Sequence, residues 1–346
     1  MDAERLKAYL KEKGQPAYRA EQVLKAVFQD GVASYKEITS LPAALREELE
    51  REVPLQSTHE VAVQTSKEGD TYKAVLRLND GLKVETVLMS PKPGHWTACI
   101  SSQVGCALKC DFCATGLMGL KRNLTAEEIA DQILFWRQYI RAKQLPVSLS
   151  NVVYMGMGEP FQNLDAVSDS IRSLVDPARF GLAQRHIAVS TAGVAPGIEE
   201  FGRRFRQVHL ALSLHAADDT LRTKLVPINK AYPLAKLREA LQGYFKLSNQ
   251  KVFIEYVLLE GENDGDVHAK QLAAYLKSVG HRERLHVNLI VFNPTDTPHS
   301  PSRREAAKNF RDTLLARGIN ATIRKNLGQE IEGACGQLIV KEPKGA

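Results

Sequence analysis

The chain has 346 residues, 44% hydrophobic and 25% charged, an ordinary globular composition that excludes a disordered or fibrous architecture. The formal net charge of +6 permits a polyanionic partner without requiring one. No apolar run approaches the ~20 residues that span a bilayer, and the opening Met-Asp-Ala-Glu-Arg-Leu-Lys lacks the apolar core of a secretory signal, so a cytoplasmic protein with no membrane partner is expected.

Residues 1–55 predict short helices, because Leu6, Tyr9 and Leu10 recur at helical spacing, as do Val23, Val27 and Phe28, and a third helix follows Pro42. Two strands are predicted at 72–78 and 82–89, joined by the hairpin signal Asn79-Asp80-Gly81. Pro91-Lys92-Pro93-Gly94 interrupts any regular element, which suggests a boundary between an N-terminal helical domain with a β-hairpin, 1–92, and a second domain, 93–346. From residue 96 the pattern becomes strand, loop, helix, repeated. Strands are expected at 97–101, 151–155, 186–190, 208–214, 252–258, 286–291 and 321–324, with amphipathic helices between them, among them 126–139, 234–245, 267–279 and 304–316. This alternation requires parallel strands with crossover helices, and six or seven units favour an α/β fold with a partial or full (βα) barrel. Functional groups should then gather at the carboxyl ends of the strands.

Five cysteines in a reducing compartment read as ligands or reactive groups rather than as a disulfide framework. Three of them form Cys106-Ala-Leu-Lys-Cys110-Asp-Phe-Cys113, a C-x3-C-x2-C array in the loop after the first barrel strand. Thiolates suit iron-sulfur clusters or zinc. Structural zinc takes four protein ligands, so zinc would need His95 or Cys99 as the fourth, in which case the chain could be a non-catalytic RNA-binding protein. Three thiolates on a four-iron cluster instead leave one iron open.

The array, with aromatic Phe112 just before its last cysteine, resembles the signature of radical S-adenosylmethionine (SAM) enzymes, and Gly156-Met-Gly-Glu159 resembles the segment that contacts the SAM amino group. Longer stretches resemble one subfamily: Cys99-Ile-Ser-Ser-Gln-Val-Gly-Cys106, Cys113-Ala-Thr-Gly, Leu120-Lys-Arg-Asn-Leu-Thr125, Met155-Gly-Met-Gly-Glu-Pro160, Ser213-Leu-His215, Pro227-Ile-Asn229 and Ala334-Cys-Gly-Gln-Leu338. They are similar to the RlmN and Cfr enzymes, radical SAM methylases of adenosine in RNA.

That resemblance implies one [4Fe-4S] cluster on Cys106, Cys110 and Cys113, and two SAM molecules per turnover. Gly158, Glu159, Ser190, Ser213, Leu214, His215 and Asn293 would line the SAM site. By the same resemblance Cys335 accepts a methyl group from the first SAM, and a 5'-deoxyadenosyl radical from the second removes hydrogen from it. The carbon radical adds to the base, Glu85 accepts the ring proton, and Cys99 releases the product through a transient disulfide with Cys335. Period alone would instead make Glu85 a solvent-facing strand residue. Implied partners are 23S rRNA, with tRNA as a further substrate, and an electron donor such as flavodoxin; a monomer is expected. Methylation at adenosine carbon 2, the RlmN reaction, is favoured over carbon 8, the Cfr reaction. Lys121 and Arg122 are candidate RNA phosphate contacts.

Overall fold

The structure is a computed structural model and describes residues 1–340. Three helices come first, α1 (Ala3–Glu12), α2 (Tyr18–Phe28) and α3 (Ala43–Glu52). Asp2 caps α1 by accepting from the Arg5 amide, which satisfies one of the donors a helix start leaves orphaned. Each helix turns an apolar stripe inward, so that Leu6, Val23, Val27 and Leu49 are completely buried. Each such side chain contributes roughly 1.5–3 kcal/mol relative to exposure.

Next come β1 (Thr58–Thr65), β2 (Thr71–Leu78) and β3 (Lys83–Lys92), an antiparallel meander. The hairpin at residues 79–81 is where the turn chemistry places it. β1 escapes a pattern search because it is an edge strand exposed along most of both faces and interrupted by a bulge. β4 (His95–Cys99) pairs antiparallel with β3 on one side and parallel with β7 (Leu149–Tyr154) on the other. Meander and barrel strands therefore share one sheet.

Between β4 and β7 lie β5 (Gln103–Gly105), the short α4 (Ala114–Leu117), β6 (Leu120–Asn123), which pairs with β5, and α5 (Ala126–Ala142). α5 starts with a full capping box between Thr125 and Glu128. The βα rhythm then runs through α6 (Leu164–Val175), β8 (Ile187–Thr191), α7 (Ala195–Arg204), β9 (His209–Ser213), α8 (Asp219–Leu225), α9 (Leu234–Leu247), β10 (Val252–Leu258), α10 (Asp266–Val279), β11 (Leu285–Val291), α11 (Arg304–Ala316) and β12 (Asn320–Ile323). The seven predicted barrel strands correspond to β4 and β7 to β12.

The ten-stranded sheet has β1 and β12 at its two edges, so the barrel is partial. It is nonetheless strongly curled, because Met89 of β3, Cys99 of β4, Tyr154 of β7, Ser190 of β8, Ser213 of β9, Glu255 of β10 and Ile290 of β11 line one cavity. The chain after β12 crosses the open side. Lys325 pairs with Asp70 at 3.5 Å, and the Lys67 amide donates to Glu330 Oε1 at 3.2 Å. Among the described residues no helix is long and apolar enough to cross a membrane.

Candidate active site

The loop after β5 carries Cys106, Cys110 and Cys113, and all three face the cavity. Backbone bonds fix it: the Cys106 amide donates to Gly119 O at 3.2 Å, Asp111 to Leu225 O at 3.0 Å and Cys113 to Cys110 O at 3.1 Å. Leu108, Phe112, Ala192, Leu225, Val226, Val257 and Phe292 form an apolar wall around the thiols. Burial pushes the Cys106 thiol up to about 12 and Cys110 well above its ordinary value, so ligation must displace their protons. Among the described residues no three His, Cys, Asp or Glu side chains converge closely enough to hold a single ion. Three soft thiol donors that line one cavity suit the thiolate ligation of an iron-sulfur cluster. Of the two residues that could complete a zinc set, His95 is exposed and lies off this cavity, whereas Cys99 lines it.

Beside the loop, Gly158, Glu159, Ser190, Ser213 and His215 line the same cavity. Glu159 is buried, and its two oxygens accept from the amides of Phe161 at 3.0 Å and Ala192 at 2.7 Å. Burial raises its pKa and those donors oppose the rise. The Ser190 and Ser213 hydroxyls are 3.1 Å apart. His215 holds a left-handed backbone (φ 60°), and its Nδ1 accepts from the Val257 amide at 3.0 Å. Burial, with Arg222 nearby, lowers its pKa to about 3. The ring is thus neutral, with its proton on Nε2 as a donor.

Two other expected SAM contacts, Leu214 and Asn293, adjoin residues of the lining without belonging to it. Leu214 is completely buried and absent from the cavity lining; its carbonyl accepts from Arg222 Nε at 3.0 Å. Asn293 is likewise off the lining. Its Nδ2 donates to Cys335 O at 3.1 Å, while its buried Oδ1 has no hydrogen-bond partner. An unsatisfied buried acceptor is costly unless a ligand supplies the donor.

Cys99, at the end of β4, and Cys335, on the segment after β12, both line the cavity, and both are free thiols. Cys335 is accessible, but what it reaches is this cavity, and the surrounding protein mass still raises its pKa. Burial likewise pushes the Cys99 thiol up to about 12. Arg324 lines the same space and favours both thiolates.

The segment bearing Cys335 forms a strap pinned on three sides. The Ala114 amide donates to Gly336 O at 2.9 Å, Thr115 Oγ1 to Leu338 O at 2.6 Å, and Gln337 Nε2 to Pro294 O at 2.9 Å. The Ile339 amide donates to Glu85 Oε2 at 2.9 Å.

Glu85 is therefore not solvent-facing. Both faces of β3 are covered, since Thr86 on the opposite face accepts from Trp136 Nε1 of α5 at 3.0 Å. Side chains alternate along a strand, so Glu85, Val87 and Met89 share one face, and Met89 lines the cavity. Val87 sits opposite Lys73 of β2 and Cys99 of β4. Glu85 and Cys99 accordingly belong to one inward-facing patch.

Several participants gave no sequence signal by themselves. Gln103 Oε1 accepts from the Glu159 amide at 2.8 Å. Arg222, completely buried, donates to Ala192 O at 2.6 Å and to Asn229 Oδ1 at 2.8 Å, tying the ends of β8 and β9 to the Pro-Ile-Asn segment. Asn263 Nδ2 donates to His215 O at 2.9 Å. Arg122 is not free for RNA, because it joins Asp80 at 2.6 Å to Glu128 at 2.7 Å; Lys121 is exposed.

Comparison with known proteins agrees with this geometry. Residues 100–273 match the family model described as the radical SAM superfamily, and residues 1–54 match that of the ribosomal RNA large subunit methyltransferase N-terminal domain. The probable dual-specificity RNA methyltransferase RlmN of Listeria welshimeri is 40% identical over 98% of this chain and 92% of that protein. The ribosomal RNA large subunit methyltransferase Cfr of Clostridium botulinum is 41% identical over 93% of this chain and 92% of its own length. The crystal structure of a radical SAM methyltransferase from Sphaerobacter thermophilus superposes with a TM-score of 0.91 at 41% identity, covering 98% of this chain and 97% of that one. A three-cysteine loop, a curled partial barrel and near full-length similarity agree: the chain belongs to the RlmN and Cfr family of radical SAM RNA methyltransferases.

Proposed function

We propose that this protein methylates carbon 2 of adenosine in 23S rRNA, and in tRNA as a second substrate, in the cytoplasm, as a monomer supplied with electrons by a flavodoxin-type donor. The observation that carries this reading is the convergence of Cys99, Cys335 and the three loop cysteines on one cavity, with Glu85 hydrogen-bonded to the strap that bears Cys335. The matching N-terminal domain and the dual-specificity relative favour carbon 2 and two RNA substrates. Residues 1–92 serve as the accessory RNA-binding region, and residues 93–346 as the catalytic barrel.

Cys106, Cys110 and Cys113 would hold a [4Fe-4S] cluster, which with bound SAM supplies the 5'-deoxyadenosyl radical that an electrophilic amidine carbon requires. Gly158, Glu159, Ser190, Ser213 and His215 orient SAM, Asn293 offers Oδ1, and Leu214 shapes the site from the core. Cys335 carries the methyl carbon as a thioether. Once that carbon is bonded to the base and the adduct radical has returned one electron to the oxidised form of the flavodoxin-type carrier, Glu85 removes the proton from the substituted ring carbon. The Cys99 thiolate then attacks Cys335 Sγ. The bond from that sulfur to the transferred carbon breaks, its electron pair stays with the carbon and is protonated to a methyl group, and a Cys99–Cys335 disulfide remains for a dithiol to reduce. Two variants test the assignment. C335A abolishes methyl transfer, whereas C99A retains Cys335 methylation and accumulates a covalent protein–RNA adduct. Methylated RNA from C335A contradicts the reading.

A further inference from the structure

Glu85 has a buried cationic neighbour that the reaction as described leaves idle. Lys73 Nζ, on β2, lies 3.3 Å from Glu85 Oε1, and the side chains are only 6% and 3% exposed. The register explains the meeting: Lys73 is opposite Val87, so it shares the inward face with Glu85, two residues back along β3. A lysine with its head group inside a sheet needs a reason, because burying an ammonium is costly unless it is paired.

The two carboxylate oxygens have different partners. Oε1 faces Lys73 within the sheet, whereas Oε2 accepts from Ile339 of the strap. The charged groups acting on Glu85 are Lys73 from β2, which favours the anion, and Glu332 from the strap segment, which opposes it. Burial also opposes the anion and is the largest influence, leaving Glu85 at about 6 rather than higher.

We propose that Lys73 is a positioning residue for proton abstraction: its ammonium anchors Oε1 and keeps the carboxylate anionic, so that Oε2, exposed when the strap yields, is the oxygen that accepts the proton. This rests on Glu85 being the base. In the step, the ring C–H bond breaks and its electron pair stays with the adduct. An O–H bond forms at Oε2, and the acid so produced stays beside the Lys73 ammonium.

The test uses reconstituted full-length enzyme already methylated at Cys335, mixed anaerobically with SAM, reductant and rRNA at pH 6 to 9. Adduct is followed on denaturing gels and released methyladenosine by mass spectrometry. In K73M, and in K73Q should K73M fold poorly, release at pH 7 falls at least tenfold, adduct accumulates, and the rate recovers by pH 9; K73R restores release to within about threefold of wild type. Methylation of Cys335, which does not use Glu85, proceeds in each variant and reports an intact site. A wild-type pH profile in K73M, or a slowing equal at every pH, overturns the role of Lys73. E85Q separates the two readings: adduct persisting at all pH values upholds Glu85 as the base whatever Lys73 does, and release at the wild-type rate refutes that assignment itself.

Discussion

Replacing Gly158 by alanine tests how the SAM side of the cavity is built. Gly158 has φ +99°, and a Cβ there would lie 2.5 Å from Gln103 Cβ and 2.8 Å from Cγ. The Gln103 side chain must move, although its Oε1 is the acceptor for the Glu159 amide and its Nε2 is tied to Asn123 Oδ1 at 2.8 Å. Holding an L side chain at positive φ costs roughly 1–2 kcal/mol, and stranding the buried Glu159 amide costs roughly 1–3 kcal/mol. The sum, roughly 2–5 kcal/mol, is a large share of a typical stability of about 5–15 kcal/mol. Urea unfolding of the cluster-free protein gives the stability change, and equilibrium dialysis of reconstituted enzyme gives SAM affinity, which falls at least tenfold as Glu159 shifts. A G158A protein within about 0.5 kcal/mol of wild type, binding SAM normally, would refute this account of the turn.

Three further outcomes follow from the geometry. With Glu85 at about 6, the ionised share drops from about nine-tenths at pH 7 to about one-tenth at pH 5, so product release slows about tenfold over that interval in stopped-time assays. His215, held at about 3 by burial, is neutral when folded but binds a proton in the unfolded chain below pH 6.5. Stability is therefore lost as pH falls from 6.5 toward 3, by about 1.4 kcal/mol per unit from this group, and H215Q shows a correspondingly flatter acid-unfolding curve. Arg222→Met strands the carbonyls of Ala192 and Leu214 and the Asn229 amide oxygen; removing a buried charge offsets part of that cost, and chemical denaturation should register a net loss of about 1–3 kcal/mol.

The barrel strands were legible because fully covered parallel strands write themselves as apolar runs between turn signals. β1 was not, since an exposed edge strand carries no such pattern. Spacing singled out the cysteine loop, whereas the Gly-Met-Gly-Glu turn was found through the family resemblance, since Gly-x-Gly-Glu by itself marks an ordinary strand-to-helix turn. Glu85 defeated periodicity: alternation marks a side chain's face, but not whether a later segment covers it, and here the strap does. Leu214 shows the converse limit, as its neighbours Ser213 and His215 reach the cavity while it turns into the core. Lys73, Arg222 and Arg324 were invisible because their roles depend on contacts between distant strands and loops.

The most direct measurement is an anaerobic reaction of reconstituted protein with methyl-labelled SAM and 23S rRNA, read by nucleoside mass spectrometry. The account predicts label in 2-methyladenosine that requires Cys335. Label in 8-methyladenosine, or no transfer by a protein with an intact cluster and bound SAM, would contradict it.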